Sequence, residues 1–170
     1  MAVIKIVNDT YRNDDAIPNL IAYVLNENKM PHRCFGGVGI DFRNPAASMM
    51  TIKNVFEKEY GKQAEHVILA FDKMESRFLV IPFIEQIAQD VCMFFCGLQV
   101  MYAVHEVKNT YLSDDYNDGS VHIHFIINTV NVQSGRKFCI DNNMAFKLQS
   151  YIKTVMKKNG LPGKVQLVID

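Results

Sequence analysis

No charge excess, no long apolar run and no internal repeat mark this sequence. Its 18 Lys and Arg equal its 18 Asp and Glu. That balance speaks against a protein that coats nucleic acid, because phosphate neutralisation dominates such binding. An enzyme gripping a few nucleotides through a local patch is still allowed. The longest apolar stretches, such as Val67 to Phe71 and Phe125 to Ile127, fall far short of the ~20 residues of a membrane-spanning helix. Residues 2–7 alternate like a strand from the start and lack the profile of a signal peptide, so a cytoplasmic location and no membrane partner are expected. Cysteine is sparse. Cys34, Cys92, Cys96 and Cys139 have no metal-site spacing and read as small buried hydrophobes.

What is present suits one globular domain. The 170 residues are 49% apolar and 21% charged, enough for a continuous core without staples. A strand is expected at 2–7 and a short helix at about 16–26. Residues 34–41, with Gly36, Gly37 and Gly39, read as loop. A second helix starts at Pro45 and should end near Gly61. A strand follows at 66–71, then a helix at about 79–96 with Pro82 in its first turn and Gly97 as its stop. Residues 98–107 and 121–130 are two strong strands joined by a polar loop. Met144, Leu148, Tyr151, Ile152 and Val155 share one face of a helix at about 142–159, before a last strand at 165–169. This order predicts an α+β fold, a mainly antiparallel central sheet with flanking helices.

The chemistry concentrates in Val121-His122-Ile123-His124-Phe125-Ile126-Ile127-Asn128. Residues i and i+2 of a strand project to one side. His122, His124 and Asn128 therefore share a face, and Val121, Ile123, Phe125 and Ile127 share the other. A single strand histidine is more often a hydrogen-bonded bystander than a ligand. Two on one face, with His105 near the end of the preceding strand, favour a metal site. Neutral imidazole is the commonest transition-metal ligand, and three leave coordination positions open for substrate oxygens. The spacing does not choose among zinc, manganese and magnesium.

His-hydrophobe-His-x-x-x-Asn after a strand ending in histidine resembles the third motif of mobilisation relaxases, members of the two-histidine endonuclease superfamily. Other blocks follow in the family's order. Residues 19–29, around Tyr23, look like the first motif; 50–53, 60–62 and 66–71 look like the approach to the second; 128–138 looks like the stretch after the metal strand. The resemblance runs from residue 2 to about 165. It implies a single relaxase domain over residues 1–170, of a kind that can be the N-terminal part of a longer protein. It further implies Tyr23 as nucleophile, His105, His122 and His124 as metal ligands, and a divalent metal ion, Mg2+ or Mn2+. Asn128 and Glu75 would support the site. The implied substrate is single-stranded DNA at a transfer origin, and the implied partners are an auxiliary origin-binding protein and a coupling protein.

The chain departs from the family at three places. Ala70 stands where serine is usual, Val107 stands where an acidic residue commonly follows the first metal histidine, and the interval from His105 to His122 is long. Glu75 or Asp118 could stand in as partners of the metal ligands. Arg33 and Arg43 flank the glycine-containing loop, and Arg136 and Lys137 lie upstream of a lysine-rich helix; these four are the candidate DNA contacts. Two other readings stay open at this stage: a replication initiator or single-strand transposase using Tyr151, and a degenerate relaxase that binds origin DNA without cutting it.

Overall fold

The computed structural model describes residues 1–8, 11–30, 33–77, 79–106 and 120–170. One sheet carries β1 (Ala2–Val7), β2 (Phe35–Val38), β3 (Ala64–Ala70), β4 (Val100–Glu106), β5 (Val121–Asn128) and β6 (Val165–Ile169). Its spatial order is β2-β4-β5-β3-β1-β6. All neighbours are antiparallel except β1 and β6, which run parallel. The helices among the described residues are α1 (Ala16–Val24), α2 (Pro45–Val55), the single turn α3 (Lys73–Ser76), α4 (Ile81–Cys92) and α5 (Asn142–Lys158). The expected α+β fold with a mainly antiparallel, helix-flanked sheet is therefore found.

The alternation in β5 separates the two faces. Val121, Ile123, Phe125 and Ile127 join the larger core with Ile84, Ile87 and Val91 of α4 and Leu148, Ile152 and Val155 of α5. Each such side chain taken from water stabilises the fold by about 1.5–3 kcal/mol. On the opposite face, Met101, Ala103 and Ile126 pack against Ile17, Leu20, Ile21 and Val24 of α1 and Met49 of α2. Helices thus cover one face with α4 and α5 and the other with α1 and α2. The histidines sit on the α1 side.

Three elements differ from expectation. Residues 35–38 form the edge strand β2 rather than loop, paired with β4. Gly37 allows this, because a Cβ there would lie 2.1 Å from the Val100 carbonyl oxygen. Helix α2 ends at Val55, short of Gly61, where Glu57 turns into the left-handed region at φ 54. Helix α1 ends at Val24, and Asn26 then caps a 3-10 turn over Glu27–Lys29 by accepting a hydrogen bond from the Asn28 amide. Two cysteines also differ, since Cys34 and Cys92 are buried but Cys96 and Cys139 are exposed. Among the described residues no helix is long and apolar enough to cross a membrane.

Candidate functional site

Strand register builds a histidine cluster on the α1 face. His105 of β4 lies directly across from His122 of β5, while His124 is flanked by Ala103 and Ile68. Directly opposed residues hold their Cβ atoms about 4.5–5.5 Å apart. The His105 and His124 rings touch, with centroids 4.2 Å apart. A fourth histidine joins from β3: His66 stacks on His124 at 5.3 Å and 26°, and its Nε2 shares a 3.0 Å hydrogen bond with His124 Nδ1. Nδ1 of His66 is in turn 3.1 Å from the Tyr11 hydroxyl.

Each predicted ligand spends one ring nitrogen on a protein partner. His105 Nε2 lies 2.7 Å from the Val24 carbonyl oxygen, which accepts its proton. His124 uses Nδ1 toward His66, and His122 Nε2 is 3.5 Å from the Ser120 hydroxyl. Metal-bound histidines characteristically commit their second nitrogen in this way. In donor chemistry the trio fits a divalent ion. Among the described residues, however, no three His, Cys, Asp or Glu side chains are already set as a metal cage. The backbone places His105 directly across from His122, with His124 two residues along the same face.

Burial keeps these imidazoles neutral. It pushes His124 down from 6.5 to about 2, helped by the neighbouring His105, His66 and His122 and by Lys29. His122 is lowered by burial and then by His105. His105 is lowered by burial and by Lys29, against an opposing effect of its bond to Val24. The consequence for stability has a definite sign. Below about pH 6.5 the unfolded chain gains a proton that folded His124 refuses. Stability is therefore full above that pH and declines as pH falls toward the folded value. At about pH 5, His124 alone should remove roughly 2 kcal/mol. Urea melts at about pH 7.5 and pH 5 should show this loss, and His124→Gln should reduce it. Equal midpoints for the wild type would mean that His124 is not held neutral.

Tyr23, on the last turn of α1, hangs over the cluster. Its ring meets His105 and His124 edge-on, with centroids 6.4 and 6.1 Å away. The Lys29 ammonium lies 3.9 Å from the centre of the Tyr23 ring, a cation–π contact that holds the ring and keeps a positive charge beside it. A cavity of about 480 Å³ opens next to it, lined by Tyr11, Tyr23, His66, Lys5, Asn13 and Asn19 among others. It has the size of a site for a small ligand or a nucleotide.

The remaining predicted residues are placed elsewhere. Asn128 shares the histidine face but is fully buried, donating from Nδ2 to the Met49 carbonyl at 3.0 Å and to Gln99 Oε1 at 2.8 Å. It anchors α2 to the sheet. Glu75 closes a capping box with Asp72 and lies 3.3 Å from the amino terminus. Arg33 pairs with Glu27, and Arg43 with Asp41. Lys137 donates to the carbonyls of Tyr60 and Lys62 and to the Thr129 hydroxyl, so its ammonium is engaged in the fold. Arg136 is exposed. Val107 and Asp118 lie outside the described residues. Tyr151 stands with the α4–α5 core on the other side of the sheet, its hydroxyl donating to the Asp90 carbonyl at 2.9 Å. That position separates it from the histidines.

Sequence reading missed Tyr11, His66 and Lys29 as members of this site. His66 could have been found, since a β3 neighbour of β5 with histidine in phase with His124 projects to the same face. Tyr11 and Lys29 come from turns flanking α1, where no periodicity points.

The histidine cluster lies on the sheet beneath the half-exposed Tyr23 and beside the cavity. Residues 23–161 match the family model described as Relaxase: MobA/VirD2-like, nuclease domain. The chain belongs to this relaxase family, whose nuclease domain nicks DNA for mobilisation. The match begins at Tyr23 and spans His66 and all three predicted ligands. No curated protein matches the chain.

Proposed function

We propose that this domain nicks one DNA strand at a transfer origin by tyrosine transesterification. The observation that carries this reading is Tyr23 set edge-on above His105 and His124 at the mouth of the cavity. The Tyr23 hydroxyl oxygen attacks the scissile phosphorus. One P–O bond forms to the tyrosine, the P–O3′ bond breaks, and the phenolic proton is released as the 3′-oxygen takes one up. The 5′-phosphotyrosine preserves the bond energy for rejoining. Lys29 keeps a positive charge beside the phenol as its proton leaves. His105, His122 and His124 would hold the divalent ion, Mg2+ or Mn2+. When bound, it supplies charge neutralisation to the phosphate oxygens and a template for the attack. The cavity receives a nucleotide flanking the scissile phosphate, and Asn13 and Asn19 on its wall present amides to it. An auxiliary origin-binding protein and a coupling protein complete the transfer machinery, and the work on plasmid DNA belongs in the cytoplasm.

A supercoiled plasmid carrying the matched origin, incubated with the protein and Mn2+, tests this directly. Nicking with protein on the 5′ end, mapped by mass spectrometry to the peptide containing Tyr23, is expected. The second reading, an origin-binding protein without cleavage, is favoured by the lack of a preset cage among the described residues and by Ala70 across from His122. Binding without nicking or adduct would establish it.

A further inference from the structure

The hydrogen-bonded row Tyr11–His66–His124 has room for one proton in each gap, and the direction in which those protons run decides what His124 can do. Its two links are 3.1 Å from the Tyr11 hydroxyl to His66 Nδ1 and 3.0 Å from His66 Nε2 to His124 Nδ1. His66 and His124 are both buried, at 4% and 6% exposure, so water does not readily replace either link.

A neutral imidazole bears one proton and one lone pair on its two nitrogens. Suppose the row donates toward His124. Tyr11 then gives its proton to His66 Nδ1, and His66 Nε2–H gives to His124 Nδ1. The proton of His124 must in that case sit on Nε2, leaving no lone pair there. Suppose instead that the row donates away from His124. His124 Nδ1–H gives to His66 Nε2, His66 Nδ1–H gives to the Tyr11 oxygen, and His124 Nε2 carries the lone pair. Only the second arrangement equips His124 as a ligand through Nε2.

We infer that His66, backed by Tyr11, fixes His124 in the tautomer protonated at Nδ1 and so turns the Nε2 lone pair outward as a metal donor. The inference rests on the proposed metal role of the trio. His66 and Tyr11 are positioning residues here, neither of them a ligand. The other two histidines have different partners, the Val24 carbonyl for His105 and the Ser120 hydroxyl, which can donate or accept, for His122. A carbonyl oxygen can only accept, so it dictates the tautomer of His105 outright. His66 and the Tyr11 hydroxyl can each donate or accept, so the two links are coupled and run in one direction together: with Tyr11 accepting from His66 Nδ1–H, His66 Nε2 must accept from His124.

Two measurements test this on the whole chain. Ring 15N–1H correlation spectra of the metal-free protein should show His124 protonated at Nδ1 with an unprotonated Nε2. Mn2+ titration should then show His66→Phe binding about 10–100-fold more weakly than wild type, the usual loss when such a partner is removed. His66→Gln, whose amide oxygen can accept from Nδ1–H, should recover most of that loss. Tyr11→Phe should fall between wild type and His66→Phe. Thermal melts of the three variants separate these changes from loss of fold, and the wild-type spectrum stands even if one variant is unstable. A proton on Nε2 of His124, or Mn2+ binding by His66→Phe equal to wild type, overturns the inference. A wild type with the expected tautomer that takes up no Mn2+ supports the tautomer and sinks the metal reading alone.

Discussion

Tyr23→Phe should abolish the covalent DNA adduct, a loss of at least about three orders of magnitude in nicking, because removing an attacking atom removes the step it makes. The fold should hardly notice. Tyr23 is 49% exposed, and among the described residues its side chain is held by the edge contacts with His105 and His124 and by Lys29. Phenylalanine keeps the ring that makes all three contacts. A surface change of this kind alters stability by no more than roughly 0.5 kcal/mol. Mn2+ affinity should also stay near wild type, since the hydroxyl is not among the proposed donors. The informative result is therefore a folded, metal-binding variant without adduct. If the variant still forms a 5′-linked adduct at wild-type yield, Tyr23 is not the nucleophile. Tyr11, whose hydroxyl lines the same cavity against His66, would then be the tyrosine to examine. Tyr151 would not, because its hydroxyl is bonded to the Asp90 carbonyl on the other side of the sheet.

The faces of the sheet were legible because period-2 alternation is a local property of the chain. His122 and His124 had to fall opposite Ile123 and Phe125, and the structure places Ile123 and Phe125 in the larger core with the histidines on the other face. Register is less local. That His105 meets His122 rather than Ile123 depends on the β4–β5 pairing as a whole, with Glu106 opposite Val121, and the expected strand ends at 107 and 121 did not fix it. Edge strand β2 escaped notice because Phe35-Gly36-Gly37-Val38 has loop composition, and only tertiary packing selects its extended form. Charged residues are less legible. Arg33, Arg43 and Lys137 stand out by position, but what each touches depends on the fold: Arg33 and Arg43 make exposed pairs with Glu27 and Asp41, while Lys137 binds the Tyr60 and Lys62 carbonyls. Glu75 shows the same limit, since its capping box becomes visible only once α3 is seen to start at Asp72.

His124→Ala and Asn128→Ala should separate function from fold along a single strand. Both residues point to the α1–α2 face of β5, four positions apart, and both are buried. They differ in what they touch. His124 is surrounded by His66, His105 and Tyr23, members of the proposed site. Asn128 bonds the Met49 carbonyl of α2 and Gln99 just before β4, and its own oxygen accepts from the Val130 amide at 3.3 Å. Asn128→Ala takes the donor from the buried Gln99 Oε1 and the acceptor from the Val130 amide, at a cost of about 1–3 kcal/mol each if water cannot reach them. It should lower the urea midpoint substantially while the folded fraction still nicks and binds Mn2+ normally. His124→Ala also takes the hydrogen-bond partner from the buried His66 Nε2 and empties the space of a buried ring, so its stability cost should be comparable, about 1–3 kcal/mol. Nicking and Mn2+ binding should nevertheless disappear. The loss of metal affinity should exceed that of His66→Phe, because a donor atom is gone rather than merely misdirected. The reverse pattern, with Asn128→Ala folded but inactive and His124→Ala active, would move the chemistry to the α2 end of β5. Nicking that survives in both would place it outside this strand altogether.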